Sequence, residues 1–270
     1  ELPKRFARDH DMAFQRALPA LFYPAGPRTA QVRLALHETV TRMYVEAFFK
    51  PIYAWCEKHG VRSIGHVLME GEFANQVKLQ GDYFASASAM HYAGVDTLFD
   101  ATFQQKSRAL RDPVNNHLAC KFASSAEHLL EKERTMSESF GVAAGWDLSL
   151  PILKRLGDFQ AVCGINYFMP HAAYYSLAGF RKWECPPDEF YHVSYWPFYR
   201  EFADHLARLS TVLHGGEHIA PVALLSPVAS LAAALDPGTG TAAAWSEQIG
   251  ENPDALAVQG PGEVVHDIVG

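Results

Sequence analysis

Basic residues are in the minority in this chain of 270 residues, which has 23 lysines and arginines against 30 acids and a formal charge of −7. A nucleic-acid binder needs a basic surface to neutralise phosphates, so this balance argues against such a partner. Long apolar runs are also missing. The longest, Ile219 to Leu235, is broken by Pro221 and Pro227 and falls short of the roughly 18 residues of a membrane span. We expect a soluble protein with no membrane span.

Several signature motifs of enzymes are absent as well. The four cysteines (Cys56, Cys120, Cys163 and Cys185) show no CxxC spacing, and we interpret them as buried thiols that leave the compartment open. No HExxH zinc motif and no GxSxG elbow occurs, and no GxGxxG or GxxxxGK[ST] loop follows a predicted strand. The chain begins without an initiator methionine or a signal-type segment, which indicates a processed form or a fragment. A secreted or periplasmic location of the full-length protein is compatible with this.

Apolar residues make up 49% of the chain and follow two alternating patterns. Helical spacing predicts helices near 31–59, 84–90, 117–131, 150–162 and 198–213. Short apolar runs predict buried parallel strands near 63–69, 95–99, 134–138 and 165–169, with a fifth run at 222–225. A helix, a glycine, a short apolar run and a polar residue in succession are typical of βα units around a parallel sheet.

Both an open doubly wound sheet and a closed (β/α)8 barrel of the TIM type fit this succession. Long loops rich in polar and aromatic residues after the strands, and the missing dinucleotide motif, favour the barrel. Only four or five strands are visible where a barrel needs eight, so we expect only its C-terminal part in residues 1–220. The Ala-, Gly- and Pro-rich residues 221–270 are predicted to begin a following domain or to form a tail.

Chemistry in such a barrel gathers where strands end. The predicted strands end at four polar positions, which are Glu70 or Glu72, Asp100, Glu138 and His171. His66 and Asp96 lie inside their predicted strands. Two carboxylates are the minimum for glycoside hydrolysis, one to protonate the leaving oxygen and one as base or nucleophile. Nearby aromatic residues suit stacking on sugar rings; they are Trp146, Tyr174, Tyr175, Trp183, Tyr191, Tyr195 and Trp196.

Each of these residues also has a structural interpretation. Glu138 would be a solvated loop acid, although the small Ser137 and Ser139 beside it would leave room for a sugar. Glu70 would be an acid at a helix N-terminus, attracted by the helix dipole. His66 would be a hydrogen-bonded core histidine and Asp96 the cap of a turn, while the aromatic residues would serve packing alone.

The motifs together resemble the α-L-rhamnosidase-like glycoside hydrolases of family 106 over roughly residues 30–227. The resemblance rests on five segments, in the order Gly65-His66-x-x-x-Glu70, His91-Tyr-Ala-Gly-Val-Asp96, Ser137-Glu138-Ser-Phe-Gly141 with Gly145-Trp146, Gly164-Ile-Asn166, and Pro170-His171-Ala-x-Tyr174-Tyr175-Ser176. One departure is visible, because Ala93-Gly94 stands where Pro-Gly is expected, and it would loosen a turn before the aspartate.

The resemblance implies a (β/α)8 catalytic domain, hydrolysis with inversion, and a calcium ion near the substrate in many members. Glu138 and Glu70 would be the catalytic acid and base, in an order that the sequence does not assign. His66, Asp96 and His171 would hold sugar hydroxyls, with Trp146 and Tyr174 also at the substrate, and no metal ligand is assigned. The alternatives are a retaining, β-galactosidase-like enzyme and a non-catalytic carbohydrate-binding barrel.

Overall fold

The computed structural model describes residues 1–68, 70–71, 73–97, 113–141, 145–182 and 186–235. Helices dominate this part of the chain and pack against a small parallel sheet. The α-helices are α1 (Leu2–His10), α2 (Phe14–Phe22), α3 (Thr29–Tyr44), α4 (Lys50–His59), α5 (Phe73–Gln80), α6 (Tyr83–Ser88), α7 (Pro113–Leu129), α8 (Leu150–Val162), α9 (Tyr199–Val212) and α10 (Val228–Ala234). A π-helix (Val45–Phe49) joins α3 to α4.

Three strands form the sheet in the order β1 (Ala93–Thr97), β2 (Thr135–Ser139) and β3 (Tyr167–Pro170), and both pairs are parallel. The predicted parallel pairing of these three segments is confirmed. Val95 and Met136 are almost fully buried, whereas β3 lies at an exposed edge with Tyr167 and Met169 partly in solvent. A mixed α/β fold follows, and closure into an eight-stranded barrel stays a prediction.

Two apolar clusters hold helices against the sheet. On one side Ala119, Ala123 and Ala126 of α7 pack with Ala93 and Val95 of β1. The small side chains let the helix approach closely, which suits a helix that returns along a parallel strand. On the same side of the sheet, Leu153 and Leu156 of α8 pack with Phe202 and Leu206 of α9. Full burial of each such leucine stabilises the fold by about 1.5–3 kcal/mol.

The strand predicted at 63–69 is wrong. Its described residues form only an isolated parallel bridge, between Ile64 and Tyr92. The backbone of Ser63 is instead joined to His91, whose N–H donates to the Ser63 carbonyl at 3.0 Å, and whose ring Nδ1 accepts the Ser63 N–H at 2.9 Å. Val67 of this run is buried in the core, but the run forms no strand ladder.

The expected loose turn at Ala93-Gly94 is also wrong, because both residues belong to β1. A Cβ atom on Gly94 would lie 2.2 Å from the Gly65 carbonyl oxygen. Such an approach excludes any side chain at this position. Glycine here brings the segment that carries His66 against β1.

The helical stretch predicted at 31–59 is present as α3, the π-helix and α4. Pro19 lies inside α2, and Gly60 ends α4 in the left-handed conformation at φ 67°. Pro51 lies in the first turn of α4, directly after the π-helix, and the helical backbone runs on through this junction.

Toward the other end, the apolar run at 222–225 is not a strand, and Val222, Leu224 and Leu225 are at least 75% exposed. Beyond it, α10 packs against α3 and α5. The boundary near residue 220 stays a prediction, and residues 236–270 lie outside the described part. Among the residues that the structure describes, no helix has both the length and the apolar character needed to cross a membrane.

Candidate functional site

Asp96 and Glu138 occupy paired positions near the carboxyl ends of β1 and β2. Register partners in a sheet project to the same face, so the two carboxyl groups lie side by side. Ser137 and Ser139, which flank Glu138, project to the opposite face and are fully buried. They therefore cannot leave room for a sugar beside Glu138, as the sequence suggested. The Ser139 hydroxyl donates to Gln160 Oε1 on α8 at 2.9 Å.

His66 lies between two carboxylates. Its Nε2 atom is 3.1 Å from Glu138 Oε2 and its Nδ1 atom is 3.2 Å from Glu70 Oε1, and Nδ1 also contacts the Val67 carbonyl. Burial alone would lower the pKa of His66, but the hydrogen bonds to Glu138 and Glu70 outweigh it and raise that pKa to about 11. The ring is therefore an imidazolium at neutral pH, donating from both nitrogens.

Glu70 lies behind His66. Its side chain is only 2% exposed. Burial raises the pKa of Glu70, while hydrogen bonds from His66 and from the Asp96 backbone N–H act in the opposite direction. Because its carboxylate contacts the ring nitrogen that faces away from Glu138, Glu70 can set the orientation of the imidazole.

Glu138 and Asp96 differ in protonation although they are neighbours. The hydrogen bond from His66 lowers the pKa of Glu138, against the effect of burial, and the charge of His171 adds to the lowering. Burial raises the pKa of Asp96 to about 7, and the charge of Glu138 adds to the raising. At neutral pH Glu138 is thus ionised, while a large fraction of Asp96 carries a proton. Two carboxyls with pKa values pushed apart are the usual basis of acid–base chemistry.

One ligand atom each of His66, Asp96 and Glu138 lies within 4.8 Å of the others, a spacing that a metal ion could bridge. Calcium binds 6–8 oxygen atoms. This set supplies two carboxylates and an imidazolium whose two nitrogens already donate to acids. The donor set therefore does not fit calcium, and no step of the proposed chemistry is assigned to a metal.

A cavity of about 310 Å³ opens beside Glu138. Apolar side chains and backbone make most of its wall, with three polar side chains among them; its lining residues are Ile64, Gly65, His66, Met136, Glu138, Met169, Pro170, His171 and Ala172. A second cavity of about 240 Å³ shares Ile64, Gly65 and His66 and extends toward Phe48 and Ile52. A small concave site with a few convergent polar groups is typical of ligand pockets.

The structure gathers five of the seven predicted site residues, namely His66, Glu70, Asp96, Glu138 and His171. The sixth, Tyr174, is 8% exposed and meets the His171 ring edge-on, with centroids 6.3 Å apart. The seventh, Trp146, does not line the cavity, and its indole N–H donates to the Lys182 carbonyl at 2.8 Å. The other acids considered, Glu72 and Asp100, and the aromatic Trp183 lie outside the described residues.

Two buried acids near this site were missed. Asp188 and Glu189 are 0% and 5% exposed and follow Pro186-Pro187 in an aromatic stretch. Adjacent acids among apolar residues are unusual because an unpaired buried carboxylate is costly. Two adjacent acids in an aromatic stretch are therefore the sequence feature that could have pointed to this pair. The feature does not tell which part of the backbone the two acids contact.

No protein-family model matches this chain, and no curated protein sequence matches it. Among solved structures, the chain is similar to a rhamnosidase from Novosphingobium sp. PP1Y, with a TM-score of 0.57 and 19% sequence identity. The match covers 80% of this chain and 20% of the rhamnosidase chain. The chain thus corresponds to a small part of that protein, and at this identity the likeness concerns the fold.

Proposed function

We propose that this chain carries the carboxylate site of a glycoside hydrolase of the rhamnosidase type, with Glu138 as the carboxylate that acts on the substrate. One observation carries the proposal: Glu138 is an ionised side chain near the carboxyl end of a parallel strand, held by His66, and it faces a cavity. The similarity in fold to a rhamnosidase supports the choice of reaction class.

Asp96 is the proton donor in this proposal. Its pKa of about 7 keeps a proton available near neutral pH, and its neighbour Glu138 has the opposite tendency. A general acid works best when its pKa lies near the working pH. The imidazolium of His66 keeps Glu138 ionised, and Glu70 acts through His66 as a positioning residue.

The stereochemical course has two candidates. Inversion, which the family resemblance implies, needs carboxyl groups about 6.5–9.5 Å apart so that a water fits between them. Retention needs about 5–5.5 Å. The ligand atoms of Asp96 and Glu138 lie within 4.8 Å of each other, which favours the retaining course for that pair. Inversion would need an acid farther from Glu138 than Asp96 is. Glu70 lies on the far side of His66, but it is buried. A proton from Glu70 would therefore have to reach the cavity through the His66 imidazole.

A screen of aryl glycosides, beginning with the α-L-rhamnoside and the β-D-galactoside, tests the proposal. We expect hydrolysis of at least one substrate, with loss of activity in Glu138→Gln and full activity in the control Glu201→Gln on the exposed face of α9. Proton NMR of the first anomer released separates inversion from retention. Sugar binding by calorimetry without any turnover would identify a non-catalytic carbohydrate-binding domain and refute the proposed reaction.

A further inference from the structure

Two hydrogen bonds near the cavity join the beginning of the connection that follows β3 to a later part of the same connection. The Tyr174 backbone N–H donates to Asp188 Oδ1 at 2.7 Å, and the Glu189 N–H donates to the Ala172 carbonyl at 2.9 Å. Ala172 and the preceding His171 both line the cavity beside Glu138. Residues 188–189 therefore fix the backbone that immediately follows His171.

Asp188 is a buried hydrogen-bond acceptor with both carboxylate oxygens in contact with a partner. Its side chain is fully buried, and its second oxygen, Oδ2, contacts Nδ1 of His192. A buried carboxylate is tolerated when its oxygens are hydrogen-bonded, and such a group has little freedom to move. The contact with Tyr174 is therefore set by a rigid group and not by a mobile surface acid.

The His171 ring lacks an anchor of its own in the described part of the chain. Its backbone N–H donates to the Ser139 carbonyl at 2.8 Å, which fixes the main chain but leaves the ring free to rotate. Its buried Nδ1 atom has no hydrogen-bond partner among the described residues. The edge-on contact with the Tyr174 ring is thus a principal constraint on where the imidazole points.

We propose that Asp188 is a positioning residue of this site. By holding the Tyr174 backbone, it keeps the Tyr174 ring against His171 and so keeps the imidazole of His171 beside Glu138. The positioning of the ring follows from the contacts above, and the kinetic part rests on the proposed function, with His171 holding a sugar hydroxyl as the family resemblance implies.

Asp188→Ala tests the kinetic part. Misplacing a group by about 1 Å can lower the rate about 10²-fold, and we expect kcat/KM to fall by that order. Asp188→Asn keeps an oxygen that can accept the Tyr174 N–H and should restore most of the loss. The control Asp204→Ala removes an exposed acid that pairs with Arg200 within α9, and it should leave kcat/KM unchanged.

A double-mutant cycle separates positioning from general destabilisation. If Asp188 acts through His171, then Asp188→Ala has almost no effect on kcat/KM in a His171→Ala background. A merely structural role predicts the same fold-loss in both backgrounds, and that result overturns the inference. Should Asp188→Ala not fold, Asp188→Ser takes its place, because its shorter side chain withdraws the acceptor from Tyr174 but leaves a polar atom in the buried space.

An activity-independent measurement keeps the two proposals apart. In protein labelled at histidine and tyrosine, the nuclear Overhauser effect between the His171 and Tyr174 rings should weaken in Asp188→Ala and persist in Asp188→Asn and Asp204→Ala. An unchanged effect in Asp188→Ala overturns the positioning role, whatever the activity. A weakened effect in a protein that hydrolyses no glycoside supports the positioning role and rejects the proposed function.

Discussion

The Nε2 atom of His66 lies 3.1 Å from Oε2 of Glu138, across 72 residues of sequence. This contact joins the segment before β1 to the end of β2, and it decides the charge of the site. The same ring also contacts Glu70, so a single imidazolium is shared by two acids. A charge-assisted contact of this kind in a partly buried place is strong and directional.

Replacing His66 should change the protonation of Glu138. In His66→Gln the hydrogen bond from the imidazolium is lost, and since that bond lowers the pKa of Glu138, the pKa should rise. Carbon-13 NMR of the Glu138 carboxyl, followed against pH, measures this directly, and the acid limb of kcat/KM should move to higher pH with it. His205→Gln, which removes a histidine paired with Asp158 at 2.5 Å, is the control. An unchanged Glu138 midpoint in His66→Gln would contradict the assigned ion pair.

Glu189 should make the stability of the fold depend on pH. Burial raises the pKa of Glu189 from 4.5 to about 8, against the hydrogen bond from Tyr199. The folded state then binds more protons than the unfolded state between these two values, so the free energy of unfolding falls as pH rises from about 4.5 to about 8. The contribution of this one group is on the order of a few kcal/mol.

Glu189→Gln removes that titration and keeps the shape of the side chain. Urea unfolding at several values between pH 5 and pH 8 should show a flatter dependence in this variant than in the wild type. The exposed Glu201→Gln serves as control and should keep the wild-type slope. Parallel curves for wild type and Glu189→Gln would show that the carboxyl is ionised in the folded protein.

Gly94→Ala should be destabilising because the new methyl group would overlap the Gly65 carbonyl, 2.2 Å away, and the Met136 side chain, 2.7 Å away. Overpacking of this kind costs about 1–3 kcal/mol of unfolding free energy. Gly216→Ala, whose Cβ would meet nothing within 4 Å, is the matched control. Equal denaturation midpoints for the two variants would argue against the close packing of the His66 segment on β1.

The sequence predicted β1 and β2 well because burial and pairing coincide in these two strands. Thr135–Ser139 was placed within one residue, since four of its five side chains are buried and the fifth is the site acid. The same apolar signal failed at 63–69, where the backbone of Ser63 bonds to His91. It failed again at 222–225, where Pro221 and Pro227 flank an exposed run.

The site was partly predictable for a related reason. Polar residues at the ends of parallel strands must meet at one edge of the sheet, which was enough to group Glu138 and His171. Asp96 was placed inside the predicted strand 95–99, and it lies beside Glu138 because β1 already ends at Thr97. The sequence could not tell that Glu70 lies on the far side of His66, since that depends on how an irregular segment packs. Nor could it show that Asp188 reaches back to Tyr174, because loop contacts leave no periodic pattern.

The most direct test of the account is Glu138→Gln, which keeps the size of the side chain but removes its charge and its ability to transfer a proton. Acid–base catalysis contributes about 10²–10⁴-fold, so kcat should fall by at least that order whether the Glu138 carboxylate acts as the base or as the nucleophile. The thermal midpoint should change little because the side chain is 35% exposed beside the cavity and glutamine keeps an oxygen that can accept the hydrogen bond from His66. A kcat near the wild-type value would contradict the account, and a loss of about 1–3 kcal/mol in unfolding free energy at that unchanged kcat would identify Glu138 as a structural acid.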